Sequence, residues 1–134
     1  MRALVFPYKV INKRPMPIIP VVLYGSRVAL SVEAFVDSGA TISVFSYEIA
    51  EELNLSLESG RELYLVVGDG GFIPSRVLRI PLRIGDEKFV GDVAFSQKLN
   101  VGFNLLGRKD VFEHFQEVAF RERAREVWFR LKRT

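Results

Sequence analysis

The aspartate of Asp37-Ser38-Gly39-Ala40 stands where an ionisable group is unusual, directly after one apolar run and just before another. An ordinary Asx turn puts its aspartate among polar neighbours. Here the preceding residues alternate toward Val36, and Ile42 to Phe45 resume an apolar stretch beyond the glycine. Few other groups compete for a chemical role. The 134-residue chain has no cysteine and a single histidine, His114. Thiolate nucleophiles, disulfides and cysteine-ligated zinc or iron–sulfur sites are therefore excluded, and a Ser-His-Asp triad or histidine-rich metal site is poorly supplied. Acid–base chemistry must rest on carboxylates, and Asp37 is the leading candidate.

The elements around Asp37 read as mainly β, because the dominant hydrophobic period is two. Val28, Leu30, Val32, Ala34 and Val36 alternate with Arg27, Ala29, Ser31, Glu33 and Phe35, which places Asp37 at a strand end. Ser38-Gly39 breaks the strand. Ser46 is positioned to N-cap a short helix carrying Ile49, Ala50 and Leu53 on one side and ending near Asn54. Leu63 to Val67, the cluster Gly68-Asp69-Gly70-Gly71 and the run from Phe72 read as a β-hairpin with a glycine-rich tip. Leu78 to Ile84 predicts another strand, with Pro81 marking an edge or bulge, and Gly85-Asp86 a tight turn into Phe89–Phe95. Asn104-Leu105-Leu106-Gly107 is expected to lead into a helix with Val111, Phe112 and Phe115 on one face. Two strands follow, the second carrying Val127, Phe129 and Leu131. No linker or repeat divides the chain, so residues 1–134 are expected to form one domain.

The segment Ala34-Phe35-Val36-Asp37-Ser38-Gly39-Ala40-Thr41 resembles the active-site motif of the retropepsin-like aspartic proteases, a family of retroviral proteases and related cellular, archaeal and bacterial proteins. Further features match in order. The hairpin tip Gly68, Asp69, Gly70 and Gly71 resembles the family's substrate-covering flap. Leu105-Leu106-Gly107-Arg108 resembles the hydrophobic-hydrophobic-Gly-Arg element before the family's C-terminal helix. Together the matches span roughly residues 17 to 131. The resemblance implies a closed-barrel-like acid protease fold with a glycine-rich flap and one or two short helices, in which the Asp37 loop is threaded beside the strand ending at Gly107. It also implies a homodimeric aspartic endopeptidase acting on extended peptide or protein substrates. Asp37 would be the catalytic residue, with Ser38, Gly39 and Ala40 in support and the Ser38 hydroxyl bonding across the interface. Thr41 and Ile42 stand where the retroviral members carry acidic residues, so Arg108 lacks the salt-bridge partner of that branch; the cellular branch fits better. Dimerisation has a separate chemical warrant. Peptide hydrolysis by carboxylates needs one group to take a proton from water while another gives one to the carbonyl oxygen, and one Asp-Ser-Gly cannot do both. Two such carboxylates repel when both are ionised, so the pair retains a proton and titrates as a coupled unit. Water is the nucleophile in this reading, and neither cofactor nor metal is required.

Charge supplies the alternatives. The net charge is +3, but Arg121, Arg123, Arg125, Arg130, Lys132 and Arg133 face only Glu122 and Glu126 near the C-terminus, a local excess of four. A basic, nucleic-acid-binding β protein is one competing reading; a solvated strand pair without a nucleic-acid partner is the reading preferred here. The other competitor is an inactive retropepsin-like module that keeps a peptide-binding groove or a dimer interface. Asp86, Asp92 and Asp110 combined with Asp37 in an oxygen-rich metal site are a weaker possibility, since they lie on separate turns with no Asp-x-Asp pattern. The glycine cluster lacks phosphate-loop spacing. His114 and Trp128 read as structural residues. No apolar run reaches membrane-spanning length and the N-terminal run is too short for a signal-peptide core, so a cytoplasmic location is expected.

Overall fold

Long alternating segments such as Val28–Val36 can bury one face only by pairing into a sheet that curves around a core. In the computed structural model, which describes residues 2–66, 70–97 and 102–132, they do so in three sheets. The strands are β1 (Ala3–Pro7), β2 (Lys9–Ile11), β3 (Arg14–Met16), β4 (Ile18–Tyr24), β5 (Ala29–Val36), β6 (Ser43–Ser46), β7 (Arg61–Val66), β8 (Phe72–Ile84), β9 (Glu87–Ser96), β10 (Asn104–Leu106), β11 (Glu117–Arg121) and β12 (Glu126–Arg130). One α-helix, α1 (Tyr47–Glu52), and two single 3₁₀ turns, Leu57–Ser59 and Phe112–His114, complete the described elements.

The large sheet runs β4-β5-β10-β6-β9-β8-β7, and β4 also pairs with β8 through Val22↔Arg83 and Leu23↔Leu82. That extra pairing closes β4, β5, β10, β6, β9 and β8 into a ring, with β7 left as an outer strand. The fold is thus mainly β and closed, and it contains the expected hairpin. Its interior holds Ile19, Val21, Leu23, Ala34, Val36, Phe45, Leu82, Ile84, Val93, Phe95 and Leu106, all nearly or fully buried. Pro81 lies in the stretch of β8 between the residues paired with β7 and those paired with β4, a local edge where a missing N–H costs no ladder bond. Gly85, at φ +59°, makes the tight turn into β9. The second sheet, β1-β12-β11, brings the two ends of the chain together and puts Phe129 and Val127 into the same core. The third is the hairpin β2–β3, whose turn residues Asn12 and Lys13 both have positive φ, as the primed hairpin turns require.

Helix α1 begins after Ser46, as its N-cap position predicts, but the Ser46 side chain makes no capping bond. The helix is held instead by Ile49, Ala50 and Leu53 in the core and ends with Asn54 at φ +57°. The expected C-terminal helix is not an α-helix. Asp110 takes a left-handed conformation at φ +63°, which breaks helical winding, and only the 3₁₀ turn at Phe112–His114 follows. Val111 and Phe115 are nonetheless buried, so the apolar spacing serves a turn rather than a helix.

Asp110 is shaped by contacts both near and remote in sequence. Its Oδ2 accepts the Asp92 N–H at 2.8 Å, and its own N–H donates to Glu113 Oε1 at 2.9 Å. Lys109 Nζ lies 2.8 Å from Asp92 Oδ2 and 3.5 Å from Asp110 Oδ2, while Arg79 bridges both aspartates at 3.3 and 3.4 Å. The hydrogen bond from Lys109, with that from Arg79, holds the Asp92 carboxyl below its ordinary pKa against the opposing effect of burial.

Two outcomes follow for stability. A Cβ at Gly107 would stand 2.7 Å from the Ile42 carbonyl and 2.8 Å from the Ala40 oxygen, both backbone atoms. Gly107→Ala is therefore expected to cost about 3 kcal/mol, at the upper end of ordinary substitutions, measured by urea unfolding. A depressed carboxylate pKa stabilises the fold above the unfolded value and loses that contribution as pH falls through the folded one. Asp92→Asn should thus weaken the protein at neutral pH, and its deficit relative to the native sequence should shrink as unfolding is measured below about pH 4.

Candidate active site

Asp37 follows β5 immediately, and the loop it opens is fixed almost entirely by backbone bonds. The Asp37 N–H donates to the Leu106 carbonyl of β10 at 2.9 Å, and the Asp37 carbonyl accepts the Ala40 N–H at 3.1 Å. Across the same junction, Arg108 N–H donates to the Ala40 carbonyl and Lys109 N–H to the Thr41 carbonyl, each at 2.9 Å. The loop is thus stitched to residues 106–109 on both of its arms. Strand β10 runs parallel to β5 and antiparallel to β6, sitting between the strand that leads into the loop and the strand that leads out. Gly107 occupies the crossing, where no side chain fits.

Within the loop, the Gly39 N–H donates to Asp37 Oδ1 at 2.8 Å, which orients the carboxylate and gives it a charge-assisted bond. Asp37 and Ala40 are half-buried, whereas Ser38 and Gly39 are exposed. The carboxylate therefore stands at the rim of the chain with its supporting residues facing outward. Leu105 and Leu106 divide between two surfaces. Leu106 joins the main core, while Leu105 packs against the cluster Ile42, Val44, Val77 and Ala94. Arg108 is exposed, and its side chain forms no ion pair among the described residues.

The β7–β8 hairpin is paired down to Val66↔Phe72, and Gly70 has φ +86°. Gly68 and Asp69 of the expected flap lie outside the described residues; Gly71 is half-buried. Leu63 and Leu65 of the hairpin pack on Ile42, Val44, Val77 and Ala94. In register, Phe35, Leu105, Val44, Ala94 and Val77 form one cross-strand row, so a continuous apolar surface runs from beside Asp37 to the hairpin base. Phe103 stacks on Phe35 at the near end, with ring centroids 6.2 Å apart. A cavity of about 140 Å³ at the hairpin base is lined by Tyr47, Glu62, Leu63, Tyr64, Pro74, Ser75 and Arg76, none of them from the Asp37 loop.

Two supporting residues escaped the sequence reading. Ser43 is fully buried, and its Oγ accepts the Gly107 N–H at 2.9 Å, tying the outgoing arm of the loop to the crossing. Its signal was a lone hydroxyl in the apolar run Ile42–Phe45. Asn104 accepts the Ser46 N–H and donates to the Glu33 carbonyl, bridging β6 and β5 at the head of β10. No local pattern marked it.

The other candidate groups are engaged elsewhere. Asp92 and Asp110 do converge, but on Lys109 and Arg79, and Asp86 pairs with Arg2, so these carboxylates already hold protein cations. His114 stacks on Phe89 and bonds Glu87 at 2.8 Å. In the basic C-terminal segment, Arg121 lies over the Trp128 ring at 3.7 Å and Arg130 pairs with Glu117 at 2.7 Å. No helix among the described residues is long and apolar enough to cross a membrane.

Comparison with solved structures gives the same architecture. A retropepsin-like aspartic protease from Rickettsia conorii superposes with a TM-score of 0.70 at 15% identity, covering 96% of this chain and 99% of that one. The EIAV protease, solved in complex with the inhibitor HBY-793, superposes with a TM-score of 0.56 at 17% identity, covering 77% and 90% respectively. No curated protein matches the sequence. The family described as aspartyl protease does match, over residues 19–108, a span that holds β5, the Asp37 loop, the hairpin and the Gly107 crossing. The chain belongs to the aspartyl protease family.

Proposed function

We propose that the protein is an aspartic endopeptidase whose active site forms when two copies bring their Asp37 carboxylates together. The observation that carries this reading is the Asp37 loop itself. It presents one oriented carboxylate at the rim of the chain, with Ser38 and Gly39 exposed beside it. Hydrolysis of an amide needs a base and an acid at once, and one protomer offers only half of that pair.

In the dimer the two carboxylates share a proton, because two adjacent negative charges are not both tolerated. The ionised member takes a proton from a water held between them as its oxygen attacks the scissile carbonyl. The protonated member gives its proton to the carbonyl oxygen, so a neutral tetrahedral gem-diol forms without a covalent enzyme intermediate. On collapse the second carboxylate takes a proton from one gem-diol hydroxyl as the C–N bond breaks, and the first gives its proton to the departing amine, which leaves the pair with one proton as it began. Gly39 N–H holds the carboxylate in place throughout, and the Ser38 hydroxyl is assigned to bonding across the two-fold axis. The β7–β8 hairpin covers an extended peptide. Neither metal nor organic cofactor takes part, each copy contributes residues 1–134 as a single domain, and the cytoplasm is its expected compartment.

Cleavage of an unfolded protein mixture across about pH 3 to 7, where a coupled carboxylate pair changes ionisation, tests the proposal. The native sequence should cleave at the acid end and lose activity once both carboxylates ionise, while Asp37→Asn should lower kcat by at least about a hundredfold. A well-folded dimer without activity at any pH would point to the binding module instead. Activity per protomer should also fall on dilution through the dimer Kd. Polyanion binding that survives Asp37→Asn and weakens steeply with salt would favour the nucleic-acid reading.

A further inference from the structure

Most charged side chains of the fold are paired, but three cations near the Asp37 loop are not. The β2–β3 hairpin carries Lys9, Lys13 and Arg14 and no acidic residue. Lys9 is held by Glu33 of β5. Lys13 and Arg14 are exposed, and their side chains have no ion-pair partner among the described residues; the same holds for Arg108.

Backbone bonds put these cations on both flanks of the loop. The β4–β5 register, which ends at Ile18↔Phe35, is carried one pair further by the Val36 N–H, which donates to the Pro17 carbonyl at 2.8 Å. Met16, the last residue of β3, is therefore beside the start of the Asp37 loop, and Arg14 lies two residues on, roughly 7 Å along an extended strand. On the other flank the Arg108 N–H donates to the Ala40 carbonyl at 2.9 Å. The free carboxylates are elsewhere. Glu48, Glu51, Glu52 and Glu58 belong to α1 and the 3₁₀ turn after it, and that segment leads away from the site: Leu53, which caps α1, packs on Gly25 just beyond Tyr24. The seven residues of β4, roughly 20 Å of strand, separate that end from the Asp37 end. The surface beside Asp37 is itself apolar, beginning with Phe35 and Leu105. Cations left unneutralised next to an apolar groove attract a ligand that is apolar at its centre and negative at its flanks.

We infer that the Asp37 site selects protein segments in which aspartate or glutamate flanks an apolar centre within roughly three residues of the scissile bond, the reach of about 10 Å of extended chain, with Lys13, Arg14 and Arg108 holding those carboxylates. This names the substrate class of the proposed peptidase and rests on that reading for the bond that is cut. The charge preference stands on the position of the cations. Contacts remote from the reacting bond that are equally strong in ground and transition states act on KM rather than on kcat.

Two labelled peptide libraries with the same mixed apolar centre, one flanked by glutamate and the other by glutamine, test the assignment on the full chain. At about pH 5.5, where glutamate is charged, the glutamate library should show a KM at least about fivefold lower, as several exposed ion pairs together supply. Below about pH 4 glutamate takes up its proton and the two libraries should converge. Arg14→Glu combined with Arg108→Glu should reverse the order. The same libraries bound to Asp37→Asn, read by fluorescence anisotropy, give the preference without turnover. A chain that binds the glutamate library more tightly yet cleaves neither sinks the peptidase reading and leaves the charge preference standing. Equal handling of the two libraries at the higher pH overturns the inference. So does a double variant that keeps the native preference while its dimer Kd shifts in sedimentation velocity, because the cations then serve the contact between copies.

Discussion

Everything at the candidate active site depends on one close approach of backbone to backbone, at Gly107. The loop that begins with Asp37 and the segment that begins with Gly107 cross so tightly that the space for a Cβ is already filled by the carbonyl groups of Ala40 and Ile42. Only that proximity lets Arg108 and Lys109 donate to Ala40 and Thr41 while Asp37 donates to Leu106. A loop carrying Ser-Gly would otherwise lose considerable backbone entropy on ordering. Here its polar backbone groups find fixed partners on β10 and on the residues just after it, so the carboxylate is positioned by backbone hydrogen bonds rather than by flexible side chains. Ser43 adds the remaining donor–acceptor match at the crossing, where an unpaired Gly107 N–H would carry a desolvation cost.

The crossing has its own support from β9. Asp110 turns the chain out of helical geometry just after residues 108 and 109 and uses its carboxylate to hold the Asp92 N–H. Arg79 and Lys109 balance the two adjacent aspartates, and Gly91 leaves room for the Asp110 Cβ to come close. The order of dependence therefore runs from β9 through Asp110 to residues 108 and 109, and from them to Ala40 and Thr41. Charge is used here for register. The pairs themselves are partly exposed, and pairs of that kind contribute little net stability.

Much of the fold was legible because the governing interactions are periodic or local. The alternation of Val28 to Val36 reports directly which face of β5 enters the core, and Asp37 at its end is then a carboxylate where no turn residue belongs. Gly85-Asp86 and the strand pair after residue 116 are local in the same sense. The failures are non-local. Val111, Phe112 and Phe115 have helical spacing, yet the winding is decided by Asp110, whose carboxylate is held by the Asp92 N–H of β9. Ser43 and Asn104 look like ordinary strand residues until β10 is placed between β5 and β6. The pairing of β1 with β12 joins the two ends of the chain, a contact that no window of sequence contains.

The same non-local placement couples the hairpin to the site. Phe35, Leu105, Val44, Ala94 and Val77 lie side by side across five strands, and Leu63 and Leu65 rest on that row. Lifting the hairpin from its base would expose Val44, Val77 and Ala94, which are now nearly or fully buried, at about 25 cal/mol for each Å² of apolar surface returned to water. The hairpin base and the Asp37 loop are therefore two attachments to one apolar surface. A substitution at Val44 or Leu105 changes the seating of both together, the hairpin base and the carboxylate. That coupling is a consequence of threading β10 between β5 and β6: the strand that locks the Asp37 loop with Leu106 also supplies, one residue earlier on its other face, a side chain that packs on the same Ile42, Val44, Val77 and Ala94 cluster as Leu63 and Leu65 of the hairpin.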